Sequence, residues 1–314
     1  MMKSTDRPYL LVLIGPTAVG KTAVAIQLAQ WLDTEIVCAD SRQFYREMEI
    51  GTAKPTIEEQ NTVPHHSVDF LSVQQPYDVK DFEQDALQAL EKIFSRKAYA
   101  IATGGSGLYV KTLCEGIDDI PEVSEEIRSK LQQRLENEGL AKLVEELQQK
   151  DPAYCAEADL QNPRRVLRAL EIIATTGEPY SDFRNLNSTA ERPFHIIKIG
   201  LYREREKLYA RINQRVDQMI KMGLLEEARR LYPYRHHNAL QTVGYQEIFP
   251  YLDGQYDMDE AVRLIKRNTR RFAKRQLTWF RKDTEIQWFD ADKNTAELLA
   301  DIRSYLLKEL KPKA

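Results

Sequence analysis

Apolar residues in this chain fall first into short solid runs and later into helical spacing. Tyr9–Ile14 is an unbroken apolar run of strand length between Pro8 and Gly15, the pattern of a strand covered on both faces. Glu35–Ala39 and Tyr99–Ala102 are two further short runs. Thr22–Leu32 and Asp81–Phe94, which alternate with them, carry a helical period. Strands alternating with helices predict a parallel sheet. After about Pro121 the texture changes. Ser124–Gln149 is rich in Glu, Gln, Lys and Leu with heptad-like spacing, Gln161–Ala174 reads as another amphipathic helix, and no strand pattern occurs between Pro121 and Ala190. The breaker-rich stretch Thr175–Arg192 closes this section, with Pro193 just beyond it. His195–Leu201 then reads as a strand, Arg205–Met222, Leu224–Leu231 and Asp259–Arg281 as helices, and Ile286–Phe289 as a last strand. The final twenty or so residues predict one more helix with a frayed basic tail.

The economical architecture is an α/β fold: a parallel-sheet core over residues 1–120 and 194–314, interrupted by an all-helical insertion at 121–193. A length of 314 residues suits one large domain or two modest ones. With 42% hydrophobic and 30% charged residues the chain has enough apolar mass for a core. No apolar run approaches the roughly 20 residues of a membrane helix, so no membrane partner is expected. The apolar run behind the charged start MMKSTDR leads into a glycine-rich loop and has no small-residue cleavage site, which predicts a buried strand rather than a signal peptide. Cys38, Cys114 and Cys155 are odd in number, widely spaced and without CxxC, which implies neither a disulfide framework nor zinc. A cytoplasmic protein is expected.

Directly after the first strand and before the first helix lies Gly15-Pro16-Thr17-Ala18-Val19-Gly20-Lys21-Thr22, a complete GxxxxGK[ST]. Glycines let the backbone wrap a phosphate with its N–H groups inward. The helix amino terminus adds its dipole, Lys21 adds a point charge, and the Thr22 hydroxyl is placed to reach Mg2+. The core is therefore of P-loop type. The motif specifies a nucleotide such as ATP or another diphosphate compound, and leaves a kinase, an ATPase and a pyrophosphate-releasing transferase all open. A second feature narrows this. Asp40 stands at the carboxyl end of the second strand, beside the phosphate loop, where open parallel sheets bind ligands. A carboxylate there serves as a general base or a metal ligand, or simply as a helix cap.

Seven motifs in order resemble the bacterial tRNA dimethylallyltransferases, also called tRNA isopentenyltransferases: GPTAVGKT (Gly15–Thr22), DSRQFYREMEIGTAKP (Asp40–Pro55), PHH (Pro64–His66), GGSGLY (Gly104–Tyr109), NPRRVLRALE (Asn162–Glu171), VGYQE (Val243–Glu247) and TRRFAKRQLTWFR (Thr269–Arg281). Where that family usually has GGTxLY this chain has Ser106, which keeps the hydroxyl. The resemblance implies transfer of a dimethylallyl group from dimethylallyl diphosphate to the exocyclic amine of adenine 37, in tRNAs reading codons that begin with U. It gives the phosphate loop the pyrophosphate leaving group instead of ATP, and Asp40 the proton of a flipped-out adenine. It places Asp40, Ser41, Arg42, Gln43 and Ser106 at that base, and Gln161, Asn162, Pro163, Arg164 and Arg165 of the insertion on the anticodon arm. It also implies an arginine on the helix after His195–Leu201 that helps hold the diphosphate: Arg211, with Arg215 a close second. Lys21, Thr22, Asp40 and Arg211 form the implied catalytic set, with Mg2+ as cofactor and tRNA and the allylic diphosphate as partners. No protein partner is implied.

Net charge is only −3, yet nine basic residues and no acid lie between Arg263 and Lys282. On a helix, Arg263, Lys266, Arg267, Arg270, Arg271, Lys274 and Arg275 make one broad cationic face. It either tracks RNA phosphates or a diphosphate, with Arg270 and Lys274 as contacts, or is a solvated face paired with Asp253, Asp257, Asp259 and Glu260. Phe44 and Tyr45 are expected in the core more than under a base. His65-His66 and His236-His237 lack ligand spacing and are not expected to bind metal, though the PHH motif points His66 toward the cleft. The Leu131–Leu147 stretch is too short for a coiled coil and is expected to pack within the insertion.

Overall fold

A computed structural model describes residues 7–118, 120–184 and 190–310; the charged start and the basic tail read from the sequence lie outside them. The chain divides into two compact units, Met1–Cys114 with Arg192–Ala314, and Glu115–Glu191.

The larger unit is built on six parallel strands in the order β3-β2-β4-β1-β5-β6. They are β1 (Tyr9–Ile14), β2 (Ile36–Cys38), β3 (His65–His66), β4 (Tyr99–Gly104), β5 (His195–Tyr202) and β6 (Gln287–Asp290). The solid apolar runs exist because the central strands are covered on both faces. Leu10, Val12 and Ile14 of β1 join one cluster with Phe82, Ala86, Leu90 and Ile93, while Leu11 and Leu13 join another with Val24, Leu28, Ile302 and Leu306. Each such side chain contributes about 1.5–3 kcal/mol by leaving water.

The helices are α1 (Lys21–Leu32), α2 (Ile57–Thr62), α3 (Val79–Phe94), α4 (Gly107–Glu115), α5 (Glu125–Glu138), α6 (Leu140–Lys150), α7 (Pro152–Glu157), α8 (Pro163–Thr176), α9 (Arg205–Met222), α10 (Leu224–Leu231), α11 (Tyr245–Leu252), α12 (Met258–Phe280) and α13 (Thr295–Glu309). Sequence alternation marks α1, α3, α9, α10, α12 and α13 to within a few residues. It misses the six-residue α2 and α7 and the two-residue β3, which are too short to show a period, and also α4 and α11. Ser124–Gln149 is also two helices rather than one, broken at Gly139, whose φ of 80° is costly for other residues.

The smaller unit, α5–α8 with a short 3-10 turn at Tyr180–Phe183, has its own core of Leu131, Leu143, Leu147, Tyr154, Val166, Leu170 and Ile173. Leu131–Leu147 thus packs within the insertion. The buried Asp151 caps α7 at Tyr154 N (2.9 Å) and accepts from the Ser181 N–H and hydroxyl (2.8 Å each), tying the start of α7 to the 3-10 turn.

Strand register positions the site. Ile14 lies opposite both Gly104 and Gly200, and Cys38 opposite Thr103, so the loops after β1, β2 and β4 leave the sheet at nearly one level, with β5 running two residues further. β1 runs between the two directions of strand order, the switch point where a crevice opens.

Candidate active site

The phosphate loop fills the turn from Ile14 to α1. Helix α1 begins at Lys21 after Gly20 (φ 112°), with no side-chain cap and no acid in its first turn, so its amino-terminal N–H groups and dipole are left to an anion. The Lys21 Nζ donates to Gly15 O and Pro16 O, both at 3.0 Å. Burial pulls its pKa down to about 8; Asp40 opposes that fall and Arg215 adds to it.

Three arginines from β5–α9 approach the same loop and divide the work. Arg203 Nε donates to Val19 O (2.9 Å) while its terminal nitrogen pairs with Asp292 (2.8 Å), a tie that holds the loop. Arg211 Nε donates to Ala18 O (3.0 Å) and its guanidinium is otherwise exposed. Arg215 lies one turn further along, more deeply buried. Burial lowers its pKa, and the nearby Asp40 carboxylate raises it again.

The opposite wall follows β2. The Asp40 carboxylate accepts from Arg42 N (3.2 Å) and closes a tight turn with Gln43 N bonded to Asp40 O (3.1 Å). This is the local capping role open to any Asp at such a place, and it leaves the second carboxylate oxygen for other work. Ser106 Oγ accepts from Ser41 N (3.1 Å) and donates to Ser41 Oγ (3.2 Å), joining the β4 loop to the β2 loop. Gly104 allows that approach, since a Cβ there would sit 2.1 Å from Ala39 O. The Gln43 amide is engaged within the protein, accepting from Cys38 Sγ (3.0 Å) and donating to Thr52 O and Ala53 O (3.2 Å each). Arg42 reaches Asn238 O (2.8 Å).

These walls enclose one cavity of about 1060 Å³ lined by Lys21, Thr22, Asp40, Ser106, Arg211 and Arg215 among others. Sequence reading missed the residue that joins its two sides. Gln276 of α12 is buried, accepts from Thr17 N (2.8 Å) and donates to Gly105 O (2.8 Å), locking the phosphate loop to the β4 loop. Its signal was a polar residue in the apolar stripe Ala273–Gln276–Phe280.

Other expectations fall outside this cavity. Asn162 caps α8 through Arg164 N (3.1 Å) with Pro163 in the first turn, and Arg164 and Arg165 stand exposed, all on the smaller unit. Phe44 is fully buried against Phe70, Tyr77, Phe82 and Tyr109, so it is core. His66 does not line the cavity: it pairs with Glu35 (2.7 Å), which also holds Arg96, at the amino end of β2. The cationic face of α12 proves divided. Arg263 pairs with Glu260 and Lys266 with Asp217 (2.6 Å each), and Arg270 donates to Asn213 (2.6 Å). Of the acids expected to pair with that face, Glu260 does so.

Among the described residues no group of three or more His, Cys, Asp or Glu could cage a metal. The cavity's donors near the phosphate loop are oxygens, the Thr22 hydroxyl and the Asp40 carboxylate. That set fits Mg2+, which keeps several waters and binds through one or two protein oxygens and substrate phosphates.

The IPP transferase family model matches residues 43–283. A tRNA dimethylallyltransferase of Christiangramia forsetii is 51% identical over 94% of this chain and 98% of its own length. The chain belongs to the tRNA dimethylallyltransferase family. A second member, from Bacteroides thetaiotaomicron, is 48% identical over 96% of this chain and 98% of its own. Two solved structures share the fold. One is the tRNA isopentenylpyrophosphate transferase of Bacillus halodurans (TM-score 0.72, 39% identity, 96% of this chain and 97% of that one). The other is a eukaryotic dimethylallyltransferase acting on tRNA (TM-score 0.79, 27% identity, 98% and 81%). The family expectation and the α/β fold class are borne out. A family of tRNA-modifying prenyl transferases also displaces the kinase and ATPase readings that the phosphate loop alone left open.

Proposed function

We propose that this chain transfers the dimethylallyl group of dimethylallyl diphosphate to N6 of adenine 37 in tRNAs reading codons that begin with U. The observation that carries the reading is one cavity whose walls present a phosphate loop with spare cations on one side and a carboxylate on the other. Lys21, Arg211, Arg215 and the amino end of α1 hold the diphosphate and stabilise the charge that grows on it. The N6 lone pair is delocalised into the adenine ring, so the amine needs help. The Asp40 carboxylate accepts a hydrogen bond from N6–H, turns the lone pair toward the allylic carbon, and takes the proton as the new N–C bond forms. The C–O bond to diphosphate breaks and its electron pair leaves on the diphosphate. Mg2+, when bound, neutralises that leaving group. Ser41, Arg42 and Ser106 shape the pocket for the extruded base.

The basic residues of α12, Lys274 foremost, meet phosphates of the anticodon arm, and Arg164 and Arg165 supply contacts from the insertion. The chain works in the cytoplasm; among the described residues no helix is long and apolar enough to cross a membrane. Incubating the protein with unmodified tRNA and dimethylallyl diphosphate, then analysing nucleosides by mass spectrometry, tests the reading. One adenosine next to the anticodon should gain a dimethylallyl group, and ATP should neither replace the donor nor compete with it at equal concentration. Efficient ATP hydrolysis with no prenylated nucleoside would overturn it.

A further inference from the structure

The loop after Asp40 is held by a residue far from it in sequence. Glu227 of α10 is almost fully buried, and its carboxylate accepts from three successive backbone N–H groups: Glu49 (3.0 Å), Ile50 (2.8 Å) and Gly51 (2.9 Å). It also accepts from the Tyr245 hydroxyl (2.7 Å), whose pKa is driven up by burial and by the Glu227 charge. Tyr245 packs so close to Gly51 that a Cβ there would lie 2.6 Å from its ring. Gly51, Thr52 and Ala53 line the cavity, and the carbonyls of Thr52 and Ala53 receive the Gln43 amide. Gln43 in turn closes the turn that begins at Asp40. A continuous set of hydrogen bonds thus runs from Glu227 to the Asp40 turn and does not pass through the phosphate loop.

We infer that Glu227 is a positioning residue for the transfer: by clasping the N–H groups of Glu49–Gly51 it fixes the cavity wall on which the Asp40 turn rests. A carboxylate suits this task because both oxygens only accept, whereas the three N–H groups and the phenol only donate here. The inference rests on the reading of Asp40 as proton acceptor.

Glu227→Gln keeps the shape but turns two N–H donors toward backbone donors. Two readouts, taken well below the melting temperature, test it. Hydrogen exchange at the amides of residues 49–53 should accelerate. At saturating substrates kcat should fall by about tenfold to a hundredfold, the scale of a small misplacement at a reacting centre, while the donor KM stays within about threefold because the phosphate loop is untouched. Amides that stay protected, or a wild-type kcat with those amides exposed, would overturn the inference. So would an equal loss of donor binding and turnover. If the Gln variant does not fold, Tyr245→Phe removes a single donor and keeps the charge. It should fold and lose a smaller part of kcat, and an unchanged kcat would count against the inference. Wild-type protein that prenylates no tRNA would instead overturn the functional reading itself.

Discussion

Helices α9 and α12 both bring positive charge to the cavity, but they use it differently. On α12 the charge is dense in sequence, yet along the amino-terminal half its side chains are engaged: Arg263 with Glu260, Lys266 with Asp217, and Arg270 with Asn213 and the Tyr209 ring. Toward the carboxyl end Arg271, Lys274 and Arg275 stand exposed around a shallow concavity of about 430 Å³ with Trp279 and Lys282. On α9 basic residues are nearly as frequent but mixed with Glu206 and Asp217, and there Arg211 and Arg215 line the cavity next to the phosphate loop and Asp40. A charged group gains most where water is excluded and its partner is a ligand. It gains little when paired on a surface. An unbroken run of charge along a sequence therefore marks a face, whereas a place in the cavity beside the phosphate loop marks the arginines proposed to hold the diphosphate.

The sharpest way to break this contrast is to delete one arginine from each helix. Arg215→Ala should lower kcat/KM for the donor by about a hundredfold, a loss on the order of removing one preorganised donor from a developing anion. Arg270→Ala should leave donor kcat/KM within about threefold and act on stability instead, as its bond to Asn213 is lost. Steady-state kinetics with varied donor decides; equal effects from the two would dissolve the comparison. A pH series sharpens it from the donor side. Lys21 has its pKa lowered to about 8, so it is charged below that pH and neutral above it. Donor kcat/KM should be level at lower pH and fall as pH rises through about 8, toward the Lys21→Ala level. A profile unchanged by Lys21→Ala would remove Lys21 from the site. The smallest effect belongs to the carboxyl end of α12. Lys274→Ala should flatten the log–log salt dependence of tRNA binding by about 0.7–0.9, one phosphate contact, for cognate and non-cognate tRNA alike. Filter binding at three salt concentrations measures it, and an unchanged slope would mean that Lys274 meets no phosphate.

Much of the core was legible because strands buried on both faces leave solid apolar runs, and because long helices such as α9 show their full period. The phosphate loop and Asp40 were legible because their chemistry is local: successive backbone groups of one turn, or one acid at one strand end. Gln276 and Glu227 were not, since each acts on backbone that lies remote in sequence, Thr17 and Gly105 for one and Glu49–Gly51 for the other. Both do leave a trace. Each is the polar member of an otherwise apolar helical stripe, Leu224–Glu227–Ala228–Leu231 and Ala273–Gln276–Phe280. His66 misled for the same reason, because its motif carries no record of its pairing with Glu35, a residue remote in sequence that also holds Arg96 at the amino end of β2.

The central claim is that one carboxylate, set against a cationic anion site, activates the acceptor amine. Single-turnover transfer with enzyme and both substrates saturating, compared between wild type and Asp40→Ala, tests it most directly. The rate of the chemical step should fall by about 10²- to 10⁴-fold while tRNA affinity stays within a few-fold. A variant that transfers the prenyl group at a near-normal rate would contradict the claim and leave Asp40 as no more than the residue that closes its turn on Arg42 N.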